Sequence, residues 1–201
     1  NRVLYTDDFG QTWHALGGKT ALPCPRGDEP KCEELPDGSV VLSSRKGAGR
    51  FFNIYKYSDD PKKADGAWGD VVASDQQRGG IKVGRNSTNG EILILQARRK
   101  SDGARRTLAL QSLPTGDGRS DVKIFWKDIT EAASYASPKA FAEDWNQQPY
   151  HVSHTGSAYS TMTLQKDGRI GFFYEEEPGW YSMVYVPISL EAITNGLYGV
   201  K

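Results

Sequence analysis

A carboxylate and a guanidinium stand at the two ends of one short unit, Glu29 to Arg45. Glu29 lies in a Pro-rich loop, the turn Pro36-Asp37-Gly38 follows, and the apolar run Val40 to Leu42 ends in Ser43, Ser44 and Arg45. A glutamate can move a proton. An arginine can grip a planar carboxylate in bidentate fashion while staying charged. Read alone, the two are equally ready to pair with each other, and Glu33 and Glu34 compete with Glu29 as the loop acid. Further along, Arg98, Arg99, Lys100, Arg105 and Arg106 form a basic neighbourhood that also fits a solvated hairpin tip, and Glu175 opens an acidic run through Glu177. His151 and His154 are three apart, but a pair alone is a weak ligand set. Cys24 and Cys32 lack zinc-site spacing and are open to either a disulfide or free thiols. No metal and no cofactor is assigned.

The elements that must hold these residues are strands. The chain has 201 residues, 22 of them Gly, with 37 % apolar and 11 % aromatic residues. Many short strands joined by polar turns have this composition. The formal net charge is zero, which argues against a nucleic-acid partner, since that needs a basic face. No apolar run is long enough to span a bilayer as a helix. Asn86-Ser87-Thr88 fits a glycosylation sequon. The chain opens on Asn1-Arg2-Val3, without a start Met, so a preceding part is expected.

Turn dipeptides open apolar strands repeatedly. Asp37-Gly38 precedes Ser39 to Arg45, Asn89-Gly90 precedes Glu91 to Ala97, and Asp167-Gly168 precedes Arg169 to Glu175. A second strand follows each: Phe51 to Tyr57, Thr107 to Gln111, and Trp180 to Val186. Two units continue into a Ser, a polar loop and a Trp: Ser58 to Trp68 and Ser112 to Trp126. This is an all-β, propeller-like repeat of antiparallel strands, with three to four blades' worth of chain. Thr6 to Trp13 reads as a tight turn in a hairpin, Trp13 packing back on it. Ile129 to Gln147 reads as a helical insertion with Ser137 as N-cap and Pro138 in the first turn. Ser189 to Asn195 reads as a short helical turn closed by Gly196.

Together these features resemble the sialidases, the exo-α-neuraminidases. Thr6-Asp7-Asp8-Phe9-Gly10-Gln11-Thr12-Trp13 looks like the family's Asp box, with Ser58 to Trp68 and Ser112 to Trp126 as degenerate copies. Glu29 to Arg45, then Ser157-Ala158-Tyr159-Ser160-Thr161-Met162, then Gly168 to Glu175, resemble the family's motifs in order and over nearly the whole chain. The resemblance implies a six-bladed β-propeller, of which residues 1–201 would be the C-terminal portion. It implies that Tyr159 is the catalytic nucleophile and Glu29 the carboxylate that activates it. Arg45 and Arg105 would grip the substrate carboxylate, Arg105 on an Arg-x-x-Leu spacing with Arg106 as fallback. Glu175 would orient the first arginine of that triad. A phenol suits a substrate with a carboxylate beside its anomeric carbon, because an anionic nucleophile would be repelled.

The family's first triad arginine and its acid/base aspartate have no match in the chain. The expectation is therefore a retaining sialidase acting on sialylated glycans, completed by the remaining N-terminal part of the propeller and inactive without it. A secreted or periplasmic location goes with it. The alternatives are a trans-sialidase and a non-catalytic Asp-box propeller that binds glycan or protein.

Overall fold

The computed structural model describes residues 1–58, 65–85, 87–177 and 182–200. It is nearly all β, with 47 % strand and 8 % helix. Strands β1 (Leu4–Tyr5) and β2 (His14–Ala15) flank the Thr6–Trp13 turn. Strands β3 (Asp28–Glu34), β4 (Val40–Lys46), β5 (Gly49–Tyr57) and β6 (Gly66–Trp68) make the first sheet in that order, and β7 (Val72–Ala73) also pairs with β5. Strands β8 (Ile92–Arg99), β9 (Arg105–Gly116) and β10 (Ser120–Asp128) lead through helix α1 (Pro138–Ala142) to β11 (Tyr150–His151) and form the second sheet. Strands β12 (Ser157–Leu164), β13 (Ile170–Glu176) and β14 (Ser182–Ile188) form the third. Helix α2 (Leu190–Ile193) and β15 (Tyr198–Gly199) return the chain to β8, Tyr198 opposite Arg99. All pairings are antiparallel.

The sheets stack face to face, and the second is buried on both faces. Alternate side chains of a strand point to opposite faces, and β9 uses this fully. Ala109 and Leu113 join Val41, Phe52 and Ile54 in one core, while Leu108 and Leu110 join Met162, Ile170 and Phe172 in another. Polar residues between them do the same: Gln111 accepts from Ser43 of the first sheet at 2.6 Å, and Ser112 bonds Ser160 of the third at 2.9 Å. That explains why these strands are apolar on both faces.

The repeat has a different register from the one the dipeptides suggested. The hairpins β3–β4, β8–β9 and β12–β13 turn at Asp37-Gly38, Asp102-Gly103 and Asp167-Gly168, in steps of 65 residues. Each of those glycines has positive φ, which a side chain would resist: 82° at Gly38, 69° at Gly103 and 83° at Gly168. Gly90 lies before β8 and is not among the positive-φ glycines. Asn89-Gly90 is thus a strand lead-in, and the sequence-based unit was set one strand out of step there.

Other expectations fare unevenly. The helix over Ile129 to Gln147 is confined to a turn at Ala132–Tyr135 and the short α1. Ser137 does cap α1, accepting from the Ala140 N–H at 3.2 Å, with Pro138 just inside. Asp144, at φ 55°, then turns the chain so that Trp145 stacks on Phe52. At the tail, Ser189 caps α2, and Gly196, at φ 81°, donates to the Glu191 carbonyl at 2.7 Å. In the first turn, Asp8 accepts from Thr12 N–H at 2.8 Å and Thr12 Oγ1 at 2.6 Å. Trp13 lies beside Gly10 yet stays 60 % exposed, so it does not pack back as expected. Cys24 and Cys32 are free thiols. Asn86 of the sequon, Trp180 of the third unit and the loop 59–64 after Ser58 lie outside the described residues. Among the described residues no helix is long and apolar enough to cross a membrane.

Candidate active site

Glu29 and Tyr159 occupy the same place in two copies of the repeat. Each lies eight residues before the Asp of its turn, one at the start of β3 and the other at the start of β12. Each sits in a bulge: Asp28 to Lys31 takes one residue more than its partner Arg45 to Ser43, and Ser157 to Ser160 one more than Glu176 to Tyr174. A bulge re-aims side chains out of the alternation of the strand. At Glu29 the backbone is also left-handed, φ 46°, with its N–H donating to Asp28 Oδ1 at 2.9 Å. For a residue other than Gly this conformation costs on the order of 1–3 kcal/mol, and such strain concentrates at functional sites.

The result is one hydrogen bond between residues 130 apart: Tyr159 OH donates to Glu29 Oε1 at 2.5 Å. Arg45 Nη1 donates to the same oxygen at 3.0 Å. Arg45 sits opposite Asp28 across the hairpin, because Asp37-Gly38 reverses the chain and returns β4 beside β3. Glu29 and Arg45 were expected to face separate targets; here they are paired, and Glu29 serves phenol and guanidinium at once. The pKa of the Tyr159 hydroxyl is raised above its usual value, chiefly by donating to Glu29, next by burial and by the glutamate's charge, with Arg45 and Arg119 pulling the other way. The side chain is therefore a neutral phenol with a proton acceptor already in place.

Below this pair a buried polar chain ties the sheets together. Arg50 is wholly buried; its Nε donates to Ser43 Oγ at 3.0 Å and its Nη1 to the Thr88 carbonyl at 3.2 Å. Ser43 passes on to Gln111, whose amide donates to the Glu91 and Ser112 carbonyls, each at 3.0 Å. Burial pushes the Arg50 pKa down to about 10, and the charge of Glu29 opposes that.

Arg105 is placed elsewhere. It pairs with Arg98 at the start of β9 and lines a separate cavity with Leu164 and Val200. Seven residues of strand, about 23 Å at the usual rise, separate it from Ser112 beside Tyr159's neighbour Ser160. Arg106 lies at the same end, near Asp128. Arg119, in the β9–β10 turn, instead lies beside Tyr159, with its guanidinium 5.8 Å from the centre of the Tyr159 ring and a left-handed φ of 66°. Arg119-Ser120-Asp121-Val122 repeats the basic-x-x-apolar spacing that drew attention to Arg105. Glu175, eight residues after its turn as Arg45 is after its own, accepts from the Tyr159 N–H at 3.3 Å. Glu33 and Glu34 are further down β3, away from the phenol, and burial pushes the Glu33 carboxyl up.

The stacked antiparallel sheets, with strand starts meeting at Tyr159, Glu29 and Arg45, have the fold of a β-propeller. In sequence the chain is 27 % identical over 182 residues to a sialidase of Micromonospora viridifaciens, covering 88 % of this chain and 24 % of that protein. In structure it resembles an intramolecular trans-sialidase from Ruminococcus gnavus, solved with oseltamivir carboxylate, with a TM-score of 0.61 and 20 % identity over 94 % of this chain and 38 % of that one. No protein-family model matches. The chain is related to the sialidases and spans about a quarter of the length of the curated relative.

Proposed function

We propose that this chain carries the nucleophile side of a retaining exo-sialidase site that removes terminal sialic acids from glycoconjugates. The observation that carries the reading is the 2.5 Å hydrogen bond from Tyr159 OH to Glu29. The Tyr159 oxygen attacks the anomeric carbon while its proton passes to the Glu29 carboxylate, and a sialyl-tyrosine forms. The leaving oxygen takes a proton from an acid outside this chain. Water then attacks the anomeric carbon and gives up a proton to that same acid, now a base, while Glu29 returns its proton to the phenolate as it leaves. Arg45 and Arg119 supply guanidinium groups for the substrate carboxylate. Glu175 lies on the same outward face of β13 as Phe173, towards the side where a further blade would stand, and from there it orients the triad's remaining arginine.

Further blades complete the ring, and the apolar side chains left exposed on that face support this: Phe173, Met183 and Tyr185, with Leu164 at its rim. The location proposed with this activity is secreted or periplasmic. The intact protein should release sialic acid from an aryl sialoside with the anomeric configuration retained in the first-formed product. Replacing Tyr159 with Phe should lower kcat by roughly 10³-fold or more. Inverted product, or full activity in Tyr159→Phe, would refute the reading. A trans-sialidase is the second reading, favoured by the structural likeness to one; it shares the covalent step and shows itself by transfer of the sialyl group to an acceptor other than water.

A further inference from the structure

The structure gives the His151–His154 pair a third member. Asp121 Oδ1 lies 3.1 Å from His151 Nε2, and the two imidazole rings are 3.7 Å apart between centres. One ligand atom from each of Asp121, His151 and His154 lies within 4.8 Å of the others. Ligands bound to one zinc ion at about 2.0–2.1 Å stand about 3.3 Å from each other, so the Asp121–His151 pair is already at that spacing. His154, at an exposed position, completes the set.

We propose that Asp121, His151 and His154 form a divalent transition-metal site, best suited to zinc. Two imidazoles and one carboxylate match the donors zinc takes, and three protein ligands leave a position for water. The three come from separate segments: the start of β10, the strand β11 and the loop before β12. Each is held by its backbone. Asp121 is left-handed at φ 57°, its N–H donates to the Thr155 carbonyl at 3.1 Å, and its carbonyl accepts from Thr115 Oγ1 at 2.8 Å. Its second carboxylate oxygen accepts from Ser120 Oγ at 3.0 Å, the kind of outer contact that orients a metal-bound carboxylate. His151 is fixed opposite Lys123 by strand pairing. His154 follows the buried Ser153, which donates to Glu176 Oε1 at 2.5 Å. The metal thereby clasps the β9–β10 turn, where Arg119 stands two residues before Asp121, to the loop that leads into Tyr159. The site itself is independent of the proposed hydrolysis.

Calorimetric titration of the full-length protein with zinc chloride in a non-chelating buffer tests it. One saturable site with micromolar or tighter Kd is expected. His154→Ala, at an exposed position, should weaken binding by about tenfold or more, and His151→Ala likewise. Cobalt(II) should give the visible absorption of a four-coordinate nitrogen and oxygen site, lost in both variants. Cys32→Ser should leave binding unchanged. The proposal fails if wild type shows no saturable binding, or if either histidine variant binds zinc as tightly as wild type.

Discussion

Glu29 and Tyr159 show how one backbone position can take two chemical roles. Both stand eight residues before an Asp-Gly turn and both sit in a bulge, so the repeat itself brings their side chains to one point. The glutamate takes hydrogen bonds on one oxygen from both the Tyr159 hydroxyl at 2.5 Å and Arg45 at 3.0 Å. The arginines offer the sharpest comparison at this scale. Arg119 lies against the Tyr159 ring, whereas Arg105 lines a separate cavity with Leu164 and Val200. Arg119→Ala should lower kcat/KM on a sialoside by about 10- to 100-fold, the worth of one or two charge-assisted hydrogen bonds, while Arg105→Ala stays within about twofold of wild type. Equal losses in the two variants would contradict the placement. Glu29, Arg45, Tyr159 and Glu175 were named in the sequence from their match to the sialidase motifs, and the structure brings them into contact: Glu29 bonds Tyr159 and Arg45, and Glu175 accepts from the Tyr159 N–H. Arg119 was not named, because the Arg-x-x-Leu spacing pointed to Arg105, while Arg119-Ser120-Asp121-Val122 carries Val in place of Leu.

Single elements are held by polar contacts that periodicity does not reveal. Lys127, in β10, has its ammonium under α1, where it donates to the carbonyls of Ala140 at 2.5 Å, Phe141 at 3.2 Å and Glu143 at 2.7 Å. Burial pulls its pKa down to about 8, which still leaves it charged at neutral pH. Lys127→Met strands three acceptors and should cost about 3 kcal/mol in urea unfolding; a change under about 0.5 kcal/mol would show that water replaces it. This contact is why a run of good helix formers yields only a five-residue helix: α1 is a plug over Phe52, closed by Trp145, and not a free-standing helix. The Thr6–Trp13 turn makes a pH prediction. Hydrogen bonds from Thr12 and Thr6 pull the Asp8 pKa down to about 2, so the fold prefers its ionised form. The stabilisation is complete above the ordinary carboxylate pKa and is lost as pH falls through about 2. The melting temperatures of wild type and Asp8→Asn should differ by a constant amount above about pH 4 and converge towards pH 2. A gap that stays constant down to pH 2 would contradict it.

At the scale of the whole molecule, three sheets stack with the second buried on both faces, and the buried chain Arg50–Ser43–Gln111 with the Ser112–Ser160 bond crosses both interfaces. The all-β stack was legible in the sequence from turn dipeptides and doubly apolar strands. The 65-residue step was hidden because Asn89-Gly90, a strand lead-in, looks in sequence like a hairpin turn and stands in for Asp102-Gly103. This stack fixes the distance between Glu29 and Tyr159, so the account stands or falls on whether that tyrosine is the atom that bonds to sugar. The direct measurement is to incubate the full-length protein with a fluorinated sialic acid analogue that stalls at the covalent stage, then map the adduct by peptide mass spectrometry. The account predicts a single sialyl adduct on Tyr159, absent in Tyr159→Phe. An adduct on any other residue, or none from protein that turns over a sialoside, would contradict it.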